Sequence, residues 1–401
     1  MRVALNAHFW GRETTGSGQY LHRLVAAFQA GHPELDLLLI GDAAAAARHS
    51  QTPVPLDLKW QTAPTPFDRS SPNLAKVWFE QIAFPRVARG VRADLIHVPY
   101  FAPPLFKLKG NHTNRSSIPV VATVHDLIPL LLPEYRGPWP VRGYSQLVAR
   151  AARRTDLVLT DSQSSCRDAR RLLALPPARV RTVYLGVDEH YRPQPPAEIN
   201  RLRRKLRLPE TFVLYLGGFD VRKRVPQLLA AAARSQIAWP LVIAGQLPIE
   251  DTAFTPDPRR IATGLNLGER VHFVGWVPET DKPALFSAAT LFVFPSRYEG
   301  FGLPVLEALA CGTPTVTTTA ASLPELVDDA AWTVAPADVT ALAAAIDTLM
   351  HDGERRARLT ARGPAQAARF TWQRCASETA RAYADVLRAA AAVRPQAGVG
   401  K

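Results

Sequence analysis

TLFVFPSRYEGFGLPVLEALACG, residues Thr290–Gly312, decides how the rest of the chain is read. Leu291 to Phe294 is a short apolar run that fits a buried parallel strand, and Pro295 stops it. Pro304 stands just inside the start of a helix whose Val305, Leu306, Leu309 and Ala310 recur on one face, and Gly312 closes that helix. The loop between strand and helix carries Glu299, Gly300, Phe301 and Gly302. A helix N-terminus fed by a glycine-containing loop presents unpaired N–H groups and a partial positive charge, so Gly302 and Leu303 mark a phosphate site. Glu299 and Glu307 flank it. A carboxylate there repels phosphate, and its expected work is to accept hydrogen bonds from neutral hydroxyls beside the phosphate. Phosphate next to hydroxyls is the chemistry of a nucleotide-sugar.

Outward from this stretch, strands alternate with helices in both directions. Arg2 to Ala7 alternates like a first strand, and TTGSGQY places Gly16 and Gly18 just before a helix marked by Leu21, Leu24, Val25 and Phe28. Leu35 to Ile40 is a strand, Leu74 to Val87 a helix, and Leu95 to Val98 a strand. Val120 to Val124 runs into His125-Asp126, at the carboxyl end of a strand, where open α/β sheets bind ligands. His125 has two readings: a residue facing ligand, or a loop histidine bonded to Asp126. Leu157 to Thr160 and Arg181 to Tyr184 complete the first sheet, and DEHYRPQPPAEIN, with Pro193, Pro195 and Pro196, breaks the periodicity. The alternation restarts at Phe212 to Leu216, followed by a loop that holds Gly217, Arg222 and Lys223, then strands at Leu241 to Ala244 and Val271 to Phe273. Ser322 to Glu325 has the pattern of a helix capping box, and Ala376 to Val393 is a last Ala-rich helix before a frayed PQAGVGK tail.

The expected fold class is therefore α/β, with two doubly wound parallel sheets. The expected division is an N-terminal domain over 1–190, a hinge over 191–207, a C-terminal domain over 208–375, and a helix with tail over 376–401. Whether that helix crosses back to the N-terminal domain stays open. A chain of 401 residues exceeds one ordinary core, which agrees with two domains.

No stretch is apolar for long enough to span a membrane, and a strand pattern at Arg2 leaves no leader, so a cytoplasmic protein is expected. Cys166, Cys311 and Cys375 are far apart and without metal-ligand spacing, which excludes a disulfide framework and a zinc site as organising features. The formal net charge of +13 is partly gathered into two runs. Arg136, Arg142, Arg150, Arg153 and Arg154 form the first, and Arg201, Arg203, Arg204, Lys205 and Arg207 the second. Such runs suit anionic lipid head groups at the inner face of a cell membrane, phosphorylated acceptors or nucleic acid; they are equally the composition of a solvated face. No nucleic-acid-binding signature is legible, and none of these partners is expected to be nucleic acid.

Together these segments resemble the retaining glycosyltransferases of family 4, with the GT-B fold. The resemblance is carried by TGSGQY, VATVHDLIPLLLPEY, LTDSQSS, VYLGVD, YLGGFDVRKRV, VHFVGWVP and the two glutamates Glu299 and Glu307 inside SRYEGFGLPVLEALACGTP. It implies two Rossmann-like domains facing across a cleft, closing on ligand. The HDLIPLLLPEY and RKR versions are most similar to bacterial mannosyltransferases of surface polysaccharide assembly. They imply mannose from GDP-mannose, moved to a glycan or polyprenyl-diphosphate-linked acceptor, with a UDP-sugar donor as the alternative.

The resemblance further implies that Arg222 and Lys223 meet the diphosphate, and many relatives add an arginine where this chain has Gly218. It implies that Glu307 holds the ribose and Glu299 the donor sugar, that His125 lies near the reacting hydroxyl, and that Gly16, Gly18 and Gly217 let backbone approach phosphate. Val274, Gly275 and Val277 would face the base. With cations and amides meeting the leaving charge, neither cofactor nor metal is expected. A nucleotide-sugar epimerase, a nucleic-acid binder and a catalytically degenerate relative are the rival readings.

Overall fold

The computed structural model describes residues 1–50, 58–106 and 117–392; the expected frayed tail lies outside them. Among the described residues the strands form two sheets, and every strand pair is parallel. The first sheet contains β1 (Arg2–Asn6), β2 (Asp36–Gly41), β3 (Lys59–Thr62), β4 (Leu95–Val98), β5 (Val120–Val124), β6 (Leu157–Thr160) and β7 (Val180–Thr182), in the order β3-β2-β1-β4-β5-β6-β7. The second contains β8 (Val213–Leu216), β9 (Leu241–Ala244), β10 (Val271–Gly275), β11 (Leu291–Phe294), β12 (Thr315–Thr318) and β13 (Trp332–Val334), in the order β10-β9-β8-β11-β12-β13. The central strands VLYL, LVIA and LFVF are buried at every residue, as both faces of a helix-covered parallel sheet require. In the second sheet the chain moves outward from β8 to β10 and resumes at β11 on the other side of β8. The loops after β8 and β11 therefore diverge and leave a crevice at their carboxyl ends, and β1 and β4 do the same in the first sheet.

β3, β12 and β13 have no apolar run in sequence. The threonines of β12 are buried all the same, because their hydroxyls find carbonyls: Thr315 Oγ1 donates to Thr313 O and Thr317 Oγ1 to Phe294 O, both at 2.9 Å. The expected helix Leu74 to Val87 is interrupted. An α-helix Pro72–Trp78 passes through a π-helical turn, Phe79–Ala83, into a second α-helix, Phe84–Gly90. Pro85 has no N–H to give the carbonyl of Gln81, and Phe84 N–H bonds instead to Phe79 O, five residues back.

The chain divides into two compact units, Met1–Gly186 with the residues from Trp372 on, and Val187–Thr371. Residues 191–207, expected as a hinge, lie inside the second unit. Pro195 and Pro196 begin a helix, Pro196–Leu206, because proline is preorganised for a first turn. Arg201 Nη2 and Lys205 Nζ then fix that helix to Asp281 at 2.8 and 2.7 Å. The C-terminal helix Trp372–Ala392 packs in the first unit, with Tyr383 Oη 2.6 Å from His97 Nδ1 and His32 Nε2 3.1 Å from Ser377 Oγ. Among the described residues no helix is long and apolar enough to cross a membrane.

Candidate active site

The loops after β8 and β11 meet through one carboxylate. Arg222 Nη1 lies 2.6 Å and Lys223 Nζ 2.8 Å from the same oxygen, Glu299 Oε1. Arg222 Nη1 also donates to Tyr298 O at 3.1 Å, and its Nε stands 3.2 Å from Asp220 Oδ1. Lys223 is buried, with its ammonium 4.8 Å from the centre of the Phe294 ring. Burial pushes Lys223 below its ordinary value, and Glu299 restores only part of that. Burial acts upward on Glu299, but Lys223 and then Arg222 outweigh it and hold the carboxyl below its ordinary value.

The backbone of the Glu299 loop is held from below. Ser322 Oγ reaches Glu299 O at 3.0 Å and Phe301 O at 2.5 Å, while Thr318 Oγ1 donates to Ser296 O at 2.6 Å. Ser322 is thus not the helix cap its spacing predicted. It makes no capping bond and has αR backbone angles, and its hydroxyl serves the glutamate loop instead. Gly302 caps the helix Leu303–Ala310 with φ of 119°, and a Cβ there would lie 2.9 Å from Leu323 Cδ2, so only glycine fits this turn. The N–H groups of Val305 and Leu306 both return to Gly302 O, which leaves Gly302 and Leu303 N–H beyond the helix ladder.

Glu307 lies on that helix, buried, and its Oε2 has no hydrogen-bond partner. Burial raises its pKa to about 7, against the pull of Lys282 and with the push of Glu279 and Asp188. Gly217 directly follows β8, its N–H on Ala244 O at 3.1 Å. Val274 and Gly275 end β10, where Gly275 (φ 70°) accepts from Gly245 N–H at 2.8 Å; Val277 is buried just beyond, and Trp276 between them is 60% exposed. β10 is two strands from β8, so these residues sit about 10 Å along the same sheet edge from the charged cluster. Phe301 is buried against Phe370, and Gly300 lies in the same loop.

In the first unit Gly16 and Gly18 fall within the helix Gly16–Gly31 rather than before it, because Thr15 takes the N-cap and accepts from Gly18 N–H at 3.2 Å. A Cβ on Gly18 would strike Arg12 O at 2.0 Å; around Gly16 the space is open. His125 follows β5, but its partner is Asp161 rather than Asp126, whose Oδ1 caps Ile128 N–H. Nδ1 is 2.7 Å from Asp161 Oδ2 and Nε2 3.1 Å from Pro99 O. Both partners only accept, so the contacts favour a ring that donates from both nitrogens, the imidazolium form. Burial works against that charge, but Asp161 and Asp126 outweigh it and raise the pKa.

Sequence reading missed Asp161, Asp220 and Ser322 as supports. It also missed a polar group at the ends of β1 and β4, where Asn6 and Tyr100 lie near Glu80, which takes the hydroxyl of Tyr144. The DSQSS motif around Asp161 was the available signal for the first; nothing local marks Glu80. Among the described residues no group of three or more His, Cys, Asp or Glu side chains gathers as a metal site would.

The profile described as Glycosyl transferases group 1 matches residues 198–366, and that described as Glycosyltransferase Family 4 matches residues 14–191. The chain is 36% identical over 268 residues to O-antigen chain mannosyltransferase B of Escherichia coli, a match covering 66% of this chain and 69% of that one. It is 30% identical over 293 residues to the MMP alpha-(1->4)-mannosyltransferase of Mycolicibacterium hassiacum, covering 69% and 68%. The solved structure of Anabaena Alr3699/HepE in complex with UDP superposes with a TM-score of 0.71 at 21% identity, covering 96% of this chain and 99% of that one. With two parallel-sheet units, a cationic loop and a helix N-terminus at a switch point, the chain belongs to the group 1 glycosyltransferases of family 4 and is a glycosyltransferase.

Proposed function

We propose that this enzyme moves a mannosyl residue from GDP-mannose to a hydroxyl of a growing or lipid-linked surface glycan, with retention at the anomeric carbon and without a divalent metal. The observation that carries the reading is the grip of one buried carboxylate, Glu299, on Arg222 and Lys223 beside the helix N-terminus at Gly302 and Leu303. Two fixed cations and two N–H groups beyond the helix ladder suit the charge that grows on a leaving diphosphate. Glu307 suits a ribose diol, since its buried Oε2 has no partner of its own. The edge at Val274, Gly275 and Val277 lies about the reach of a nucleoside from its diphosphate, two strand spacings away. The mannosyl assignment leans on the two mannosyltransferase relatives.

In the step itself the bond from the anomeric carbon to the diphosphate oxygen breaks, and a bond to the acceptor oxygen forms on the same face. His125 is a poor base for this, because both of its nitrogens already lie against acceptors, Asp161 Oδ2 and Pro99 O. The acceptor's proton passes instead to an oxygen of the leaving diphosphate. Thermal shift with GDP, UDP, ADP and their sugars, followed by transfer assays in excess EDTA, tests the reading. GDP and GDP-mannose should raise the Tm most, and turnover should survive EDTA. Stabilisation by UDP ligands alone would move the donor to a UDP-sugar. Turnover lost to EDTA and restored by magnesium or manganese would overturn the metal-free part.

A further inference from the structure

The helix Trp139–Ala152 has two faces. Val148, Ala149, Ala151 and Ala152 are buried, and Ala149 and Ala152 join the core around Val124, Val158 and Leu173. The opposite face carries Trp139, Arg142, Gln146, Arg150 and Arg153, all exposed and spaced three or four residues apart, which places them in one line. Trp139 is 84% exposed and Val141 45%, at the first turn. A tryptophan held in water is unusual on a surface that stays in water, whereas at a membrane boundary an indole is favoured. Arg136, Arg142, Arg150, Arg153 and Arg154 have no ion-pair partner among the described residues. Arg142 Nε and Arg153 Nε instead bond the carbonyls of Gly137 and Leu173 at 2.9 and 3.1 Å, which orients these guanidinium groups and leaves their charge uncompensated.

At the far end of the helix, about 20 Å from Trp139, an open cavity of about 630 Å³ is lined by Leu105, Phe106, Arg153, Arg154, Asp156 and Arg179. Phe106 is 74% exposed. An exposed aromatic thus stands at each end of an arginine line. This is the layout of a helix lying in the plane of an interface, with its rings entering the head-group boundary and its cations meeting anionic lipid. A nucleic acid would draw on the cations and stack bases on the rings, but the two rings stand about 20 Å apart at opposite ends of the helix and form no continuous stacking platform between them.

We infer that the outer face of Trp139–Ala152, with Phe106, seats the first unit on a bilayer of anionic phospholipid. Sedimentation with vesicles tests it, and because no donor is needed the result is independent of the donor assignment. The parent should bind vesicles of mixed phosphatidylglycerol and phosphatidylcholine, fail to bind phosphatidylcholine alone, and release as salt rises. The double variant R142E/R150E should lose binding roughly tenfold or more, and Trp139→Ser should lose it severalfold. Both variants should melt like the parent, since the substituted side chains are exposed, and should transfer normally to a water-soluble acceptor. Equal binding of the parent to neutral and anionic vesicles, or parental binding by R142E/R150E, would overturn the inference.

Discussion

The carboxyl edges of the two sheets are built from similar parts and hold them differently. At the edge of the first sheet, His125 spends both nitrogens on Asp161 and Pro99, and His97, its pKa driven down to about 3 by burial, links Thr123 to Tyr383. Donors and acceptors around these two histidines are matched, whereas Asn6 Nδ2 and Glu80 Oε1 nearby have no hydrogen-bond partner. At the edge of the second sheet two cations crowd one carboxylate oxygen, and a buried carboxylate oxygen of Glu307 is left without a partner. Around His125 and His97 the first edge is stabilised by its own contacts. The second holds two cations against the carboxylates of Glu299 and Asp220 and leaves one oxygen of Glu307 unpaired; if a diphosphate and a ribose bind there, as proposed, it is the edge where binding energy can be turned toward the transition state.

Lys223→Ala puts the largest strain on this contrast. If Lys223 meets charge that develops as the diphosphate leaves, turnover should fall by about 10²–10³, the scale for one lost transition-state contact, while nucleotide binding measured by calorimetry weakens far less. Parental turnover in a folded variant would erase the distinction between the two edges.

Glu307→Gln gives a smaller effect of two signs. The carboxyl ordinarily titrates near 4.5 and is raised to about 7 here, so the stability it contributes is fully present below 4.5 and lost as pH rises through 7. The glutamine variant escapes that loss and should be more stable above pH 7, by about 3 kcal/mol at most on the scale of 1.4 kcal/mol per unit. Its donor KM should rise roughly tenfold with turnover little changed, as removal of uniform binding predicts. In the parent, donor affinity should climb with pH through 7, and in the variant it should stay flat. A variant that melts earlier than the parent at pH 8 would show that Glu307 is a satisfied structural residue.

The smallest effect belongs to the first edge. His125 is raised above its ordinary value, so its pair with Asp161 adds stability below pH 6.5 that is lost as pH rises through the folded pKa. Asp161→Asn should cost about 1.5–3 kcal/mol at pH 6, as for a hydrogen bond to a charged group, and less at pH 9, with donor KM unchanged. Urea melts at both pH values measure this, and a donor KM altered as strongly as in Glu307→Gln would place ligand binding at both edges alike.

Several features were legible from local pattern. Apolar runs of four residues bounded by proline and glycine located β8, β9 and β11, and glycine before proline located the helix Leu303–Ala310. Periodicity works there because a strand buried on both faces has no polar positions to confuse it. The same logic failed at β12, whose threonines look like a surface and are buried through hydroxyl bonds to distant carbonyls. It failed at Ser322, where local spacing describes a cap and the hydroxyl serves a loop 21 residues earlier. It failed at residues 191–207, where prolines that break one pattern begin another.

Side-chain types and their order along the chain were thus enough for the fold class and for singling out Glu299 and Glu307, because helix caps, strand runs and charge are written within a few residues of each other, while Arg222 and Lys223 were named from the family resemblance of YLGGFDVRKRV. Only the folded chain decided that Arg222 and Lys223 share one oxygen of Glu299, that His125 answers to Asp161 rather than its neighbour Asp126, and that Glu307 has an oxygen without a partner. Each of these depends on burial and on contacts between residues tens of positions apart, and both pairing and pKa are set by what surrounds a group in space rather than by what precedes it in the chain.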